Sequence, residues 1–211
     1  MSSQSEIKHP IFARFYIWMS RGRDHEVEHR RALLADAGGN VIEIGAGTGL
    51  NFPHYPRSVE HVLAVEPEPT LRSEAGRVAS RAPVDVQVVA GKADALPAGD
   101  GEFDAAVASL VLCSVPDQAE ALAEIRRVVK PGGELRFYEH VTARNPRSAR
   151  LMRLADATFW PFLGAGCHMS RDTEAAITTA GFTIEAVERF SLSPGPPVPP
   201  LPHIRGLARR L

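Results

Sequence analysis

The sequence predicts an α/β domain with a mostly parallel sheet covered by helices on both faces. Three observations predict it. Short apolar, β-branched runs such as NVIEIG (40–45) and VDVQVVAG (84–91) alternate with stretches of helical pattern, and that alternation buries a parallel sheet on both sides. A glycine-rich turn, GAGTG (45–49), follows the first run directly. The 211 residues suit one domain. At that size roughly 70% of the unfolded surface can be buried, so stability needs neither disulfide nor metal.

In chain order, residues 10–37 read as a helix, with Pro10 suited to its start and Gly38-Gly39 to its stop. Arg14 interrupts the apolar stretch 11–19, which is far shorter than the roughly 20 residues a membrane span needs. A basic start with a small-residue cleavage site, the mark of a signal peptide, is also missing. Residues 1–39 are therefore expected to form a helical cap or lid, and residues 40–211 the catalytic domain. Strands are expected at 40–45, 61–67, 84–91, 103–112 and 133–141. Helices are expected at 68–81 and 118–129, the second ended by KPGG (130–133). Residues 147–180 carry a helical pattern broken by TFWPFLGAG (158–166). FTIEAVERFS (182–191) is expected as a sixth strand and HIRGLARR (203–210) as a seventh, joined through SPGPPVPPLP (193–202). If the sixth strand is parallel to the first five, that connector emerges beside the site and His203 lies near its rim. A proline-rich stretch also suits a polyproline ligand, but strand pattern resumes after it, which favours a stiff connector.

Composition bounds the function. The chain is 44% hydrophobic and 23% charged, with net charge −1, as in an ordinary soluble protein. No long basic run appears, which argues against nucleic acid as a partner. The expected partner is a small molecule, with no stable membrane insertion, and the chain is expected as a monomer or homodimer. Cys113 and Cys167 belong to no CxxC pair and fit a reducing cytoplasm. The eight histidines are scattered. The i, i+4 pair His25 and His29 lacks the acid or cysteine of a metalloprotease pattern, so no metal site is expected.

Candidate chemistry gathers at the ends of the expected strands. Glu43-Ile44-Gly45-Ala46-Gly47-Thr48-Gly49 closes the first, and its glycines let backbone approach a ligand at the carboxyl end of the sheet. A dinucleotide fingerprint, G-x-G-x-x-G, would place its third glycine at position 50, where Leu50 stands. That counts against a nicotinamide-dependent oxidoreductase. Glu66, followed by Pro67, ends the second strand 17 residues after Gly49. Its two carboxylate oxygens match the two hydroxyls of a ribose. AGKADALP (90–97) follows the third strand and offers Asp94. Alone, the loop would read as a turn and each acid as a solvated side chain. The three in this order are more specific together.

With an acid two residues before its first glycine, the loop resembles the nucleoside-binding loop of class I methyltransferases that use S-adenosyl-L-methionine. The resemblance implies a Rossmann-like, mostly parallel sheet of seven strands with an antiparallel last strand. It implies S-adenosyl-L-methionine as donor and S-adenosyl-L-homocysteine as product. Glu43 would hold the donor's ammonium end, directly or through water, above Gly45, Ala46, Gly47 and Gly49. Glu66 and Pro67 would meet the ribose, and Ala93, Asp94 and Ala95 the adenine. Ser109 and Leu110 would lie beside the donor. The segment 103–141, with LVLCSV, an RRV helix end, PGG and EHV, is similar to the methyltransferase-like thiol S-methyltransferases. NFPHYP, GCHMSRDTEAAITTAGF and PHIRG extend the resemblance from residue 40 to the C-terminus. Those enzymes carry an N-terminal hydrophobic anchor, which is not expected for this sequence, and Asp where Glu66 stands. The quinone-biosynthesis methyltransferases share the loop and the PGG pattern.

The resemblance implies methyl transfer to a small, fairly apolar acceptor, with thiol sulfur slightly preferred. The alternatives are O- or C-methylation of a phenolic or quinone-like molecule, or a non-catalytic module that keeps the cofactor loop. In-line displacement from a sulfonium mainly needs alignment and exclusion of water. A base is optional for a thiol and useful for a phenol. Cys113 and Ser114 follow the fourth strand, and Glu139 and His140 end the fifth. His140 is the base candidate, with a structural, backbone-bonded histidine as the alternative. Phe159, Trp160 and Phe162 suit either an acceptor lid or core filling, as do Phe12 and Tyr16 of the first helix. Cys113 is expected as a small neutral lining residue that favours an acceptor ionising by itself.

Overall fold

The computed structural model describes residues 13, 14, 17, 26–163, 166–193 and 200–211. Its strands are β1 (Gly39–Ile44), β2 (Val59–Val65), β3 (Asp85–Val89), β4 (Phe103–Ser109), β5 (Val129–His140), β6 (Phe182–Leu192) and β7 (Leu201–Arg210). They form one sheet in the order β3-β2-β1-β4-β5-β7-β6. The first five pair in parallel, and β7 runs antiparallel between β5 and β6. β6 is therefore parallel to the first five, and β7 alone is reversed.

Period-two alternation sends successive strand residues to opposite layers. Ile42 and Ile44 of β1, Ala106 and Ala108 of β4, and Leu135 and Phe137 of β5 share one cluster with helix α3 (Gln118–Val128) and helix α6 (Thr173–Thr179). Val41, Val107 and Tyr138 face the other way. They pack with α1 (Val27–Leu34), α2 (Pro69–Ala79) and the 3-10 turn Phe52–His54. Four consecutive alanine-sized or valine positions in β4, Ala105 to Ala108, let both layers close on the middle of the sheet. Ile125, fully buried, contributes on the order of 1.5–3 kcal/mol by burial.

Side-chain caps fix where the helices begin. Glu68 accepts from the Leu71 N–H at the start of α2, and Asp117 accepts from Ala119 and Glu120 at the start of α3. Asn145 caps α4 (Pro146–Asp156) and Asp172 caps α6. These caps explain why the expected helix over 147–180 divides into α4, the short α5 (Trp160–Leu163) and α6. Between them, Asp156 turns the chain by accepting from the N–H groups of Met169 and Ser170.

The strand ends shift from those expected by a residue or two in most strands and further in β4 and β5. β4 stops at Ser109 rather than 112, because Leu110 adopts φ 58° and leaves the ladder. β5 starts at Val129, which already pairs with Phe103 before a register shift. The first helix is described as α1 at 27–34, with helical residues at 13, 14 and 17. Phe12 and Tyr16 lie outside the described residues, as does most of the proline-rich connector. Among the described residues, no helix is long and apolar enough to cross a membrane.

Candidate active site

The chain runs outward from β1 to β3, then returns to β4 on the other side of β1. That reversal opens a crevice at the carboxyl ends, the usual ligand position in an open α/β sheet. It aligns the loops after β3, β2, β1, β4 and β5 on one edge.

The glycine loop lies at the centre. Gly45 has φ +64°, and a Cβ there would overlap the Val111 side chain. Glycine is therefore required, and the loop is seated on the turn after β4. Gly47, at φ 57°, donates its N–H to Glu66 Oε2 at 2.8 Å. Glu66 Oε1 accepts from the Glu68 N–H at 2.9 Å. Burial pushes the Glu66 carboxyl up to about 7, against those two hydrogen bonds. Each of its oxygens keeps a further lone pair. Asp94 is exposed in a turn closed by the Lys92–Ala95 bridge, with Ala93 half-buried beside it. These residues fit a nucleoside: a Cβ-free cradle, an acid on the next strand and a polar turn on the one after.

Glu43 faces the α1 layer. Tyr55 Oη donates to its Oε2 at 2.6 Å and Asn51 Nδ2 to its Oε1 at 3.0 Å. Burial raises its carboxyl to about 7, opposed by those bonds and by Arg30. Arg30 of α1 is buried and donates to Asn51 Oδ1 at 3.0 Å and to Ser109 Oγ at 3.1 Å. Helix α1 is thus wired into the carboxyl edge. His29 fixes it further, stacking on Phe190 at 4.0 Å. Arg30, Asn51 and Tyr55 were not singled out from sequence. NFPHYP and the residues around it carried the last two, but nothing local paired them with Glu43.

The turn after β4 is held by one side chain. Glu139, fully buried, accepts from the N–H groups of Val111 (3.0 Å), Leu112 (2.8 Å) and Cys113 (3.0 Å). Burial raises its carboxyl in spite of these bonds. Leu110, in the left-handed region, stores backbone strain of order 1–3 kcal/mol at the same turn.

Beyond this turn lies a patch rich in sulfur. Cys113, Cys167, Met169 and Leu201 form a small cluster with Met152 and Trp160 packed against it. The Sγ atoms of Cys113 and Cys167 are each 3.6 Å from His140 Nδ1. Hydrogen bonding from Cys113 holds the Cys167 thiol below its ordinary range, and the same bond raises Cys113. Burial presses His140 down, yet Cys167, Glu139 and Glu26 carry it above its ordinary value. His203 is buried, its ring 4.3 Å from that of His140. Burial and the neighbouring His140 lower it to about 4. Ser114 Oγ sits 3.5 Å from Cys113 Sγ. Trp160 joins the cluster, whereas Phe159 and Phe162 are exposed. No partner for Cys113 is legible in sequence spacing; the fold supplies Cys167 and His140.

A family model described as a methyltransferase domain matches residues 42–137. The thiol S-methyltransferase TMT1B of Rattus norvegicus is 34% identical over 171 residues, covering 80% of this chain and 69% of that one. This chain belongs to that methyltransferase family. A demethylmenaquinone methyltransferase of Renibacterium salmoninarum is 36% identical over 110 residues, half of this chain and 45% of its own length. Among solved structures, an S-adenosylmethionine-dependent methyltransferase from Mesorhizobium loti superposes with a TM-score of 0.61. It is 21% identical and covers 88% of this chain and 97% of that one, a likeness of fold. The protein is an S-adenosylmethionine-dependent methyltransferase with the seven-stranded, Rossmann-like sheet of class I.

Proposed function

We propose that this methyltransferase acts on a small, fairly apolar thiol. The observation that carries the reading is the make-up of the patch beyond β4 and β5. Its polar atoms include two thiols, the Ser114 hydroxyl, two imidazoles and the Trp160 indole N–H. Its nearest carboxylate, Glu139, is committed to three backbone N–H groups. Such surroundings suit a soft nucleophile that ionises near 8.5 better than a phenol near 10 that needs a strong base. The 34% identity to TMT1B supports the same acceptor.

The donor, when bound, supplies an electrophilic methyl group on a positively charged sulfur. The glycine loop would hold its methionine portion, with Glu43 behind through water. Glu66 and Pro67 would hold the ribose, and Ala93 to Ala95 the adenine. Ser109 and Leu110 would bound the path to the acceptor. Helix α1, tied down by Arg30, would act as the cap that excludes water.

Incubation with methyl-labelled donor and a panel of alkyl thiols and phenols tests the acceptor. Labelled thioethers are expected. Labelled phenol ethers with no labelled thioether would overturn the thiol reading in favour of oxygen or carbon methylation, with which the menaquinone relative is compatible.

A further inference from the structure

Three soft ligand atoms converge beside the proposed acceptor path. Cys113 Sγ, Cys167 Sγ and His140 Nδ1 all lie within 4.8 Å of one another. Both sulfurs are 3.6 Å from the same nitrogen. One imidazole nitrogen carries a single lone pair or a single N–H. It cannot direct a good hydrogen bond at two sulfurs, whereas a cation on that lone pair would meet all three atoms. With Zn–S about 2.3 Å and Zn–N about 2.0–2.1 Å, tetrahedral angles set sulfur and nitrogen roughly 3.5–3.6 Å apart. The two observed edges have that length.

We propose that Cys113, Cys167 and His140 form a zinc site whose fourth position takes the acceptor's sulfur. The proposal rests on the thiol reading above and names how the thiol is activated. Two thiolates and an imidazole select zinc or another soft ion over magnesium or calcium. Three protein ligands with one open position are the pattern of catalytic rather than structural zinc.

The surroundings fix the ligands before any ion arrives. Glu139 holds the Cys113 backbone. The His168 N–H donates to the Cys113 carbonyl at 2.7 Å, clamping the loop of the second cysteine to that of the first. Asp156 pins the next two residues through their N–H groups. Met169, Leu201, Met152 and Trp160 wrap the sulfurs in an apolar shell, which strengthens metal–ligand interaction. Cys113 and Cys167 are buried, and His140 is half-buried.

The chemistry balances without an oxidant or reductant. The acceptor R–SH releases its proton to solvent as its sulfur binds zinc. A sulfur lone pair then forms the new S–CH3 bond. The methyl–sulfonium bond of the donor breaks, and its electron pair stays on the donor sulfur. The products are a methyl thioether, S-adenosyl-L-homocysteine and one proton, with zinc unchanged. Coordination deprotonates a thiol outright at a pH where the free thiol is mostly protonated. The neutral thioether binds zinc weakly and leaves.

Equilibrium dialysis of the full chain against zinc, and absorption spectra after loading with cobalt, test the site. About one metal per chain and a thiolate-to-cobalt charge-transfer band are expected, and the visible cobalt bands should move when an alkanethiol is added. Cys113→Ser, Cys167→Ser and His140→Ala should each weaken zinc by more than the roughly 10–100-fold that outer-shell changes cost, with S-adenosylhomocysteine affinity retained. Zinc affinity unchanged in both cysteine variants overturns the proposal. So does a Cys113–Cys167 disulfide that excludes cobalt from the purified protein. If the variants do not fold, the wild-type cobalt spectrum decides, and absence of the thiolate band is fatal. Full-rate thiol methylation by chelator-stripped protein removes the zinc site and leaves the thiol reading. A zinc site with cobalt bands that ignore thiols removes the acceptor role of the fourth position. Thiol-shifted bands with no methylated thiol support the site and defeat the thiol-acceptor reading instead.

Discussion

On the glycine-loop side of the crevice, carboxylates meet backbone amides; on the sulfur side, thiols meet imidazoles. Glu66 bonds Gly47 and Glu68 through main-chain N–H groups. Cys113, Cys167 and His140 meet one another through side chains alone. The first arrangement depends on the ends of two neighbouring strands, β1 and β2, joined within one short stretch of chain. The second depends on three distant segments arriving together. Damage to the first should therefore show in folding and donor affinity, and damage to the second in acceptor chemistry.

The two sides touch at Gly45, which is where the largest effect is expected. Gly45→Ala combines a left-handed backbone with overlap on Val111. It should cost roughly 2–5 kcal/mol of unfolding free energy by denaturant titration. Val111→Ala added to it should recover the overlap part and leave the backbone part. Recovery of nothing would mean that the two sides are not coupled through this contact.

Glu66→Ala should weaken S-adenosylhomocysteine by roughly 1.5–3 kcal/mol in calorimetry, the size of hydrogen bonds to a charged group. Unchanged binding would remove Glu66 from the ribose. Glu139→Gln replaces an acceptor oxygen with a donor beneath three N–H groups. It should cost roughly 1–3 kcal/mol and speed amide exchange at residues 111–113 with little change at residues 45–49.

A smaller effect separates the sides by pH. Glu43 and Glu66 titrate near 7 in the folded chain against an ordinary 4.5, chiefly through burial. Between those values the folded state holds protons that the unfolded chain has released. Their contribution is whole below about 4.5 and is lost as pH rises through about 7. His203, lowered to about 4 from 6.5, has the opposite sign: its contribution is present above about 6.5 and lost as pH falls through about 4. The stability of the wild type relative to Glu66→Gln should therefore decline from pH 5 to pH 7.5, to the order of one unit either way. A flat difference would show that the carboxyl is not held up by burial. The smallest effect is expected for Phe162→Ser, within about 0.5 kcal/mol, because that ring is 87% exposed.

The same contrast explains what could be read in advance. Glycine loop, strand and acid lie in one continuous stretch, so spacing alone predicted that the glycine loop and Glu66 would face each other. The alternation of strands and helices likewise predicted the sheet, although most strand ends moved by a residue or two, and further in β4, where Leu110 leaves the ladder, and in β5, where Val129 pairs early. His140 was legible as the end of the fifth strand, but nothing in spacing paired it with Cys167. The hint was that LVLCSV, EHV, GCHMS and PHIRG each carry a cysteine or histidine. Their convergence needed β7 inserted beside β5, which pairs His140 with His203. Arg30 was illegible for the same reason: its partners Asn51 and Ser109 are 21 and 79 positions away.

The grip of Glu139 on residues 111–113 has a consequence for variation. It fastens main-chain atoms and ignores what the side chains are. The turn can therefore exchange the residue at 114 while its path stays fixed, as a tool holder keeps its shape whatever bit it carries. A library at position 114 is expected to alter acceptor preference on a constant frame, with Glu139 and the proposed ligand Cys113 as the parts such a library must leave alone.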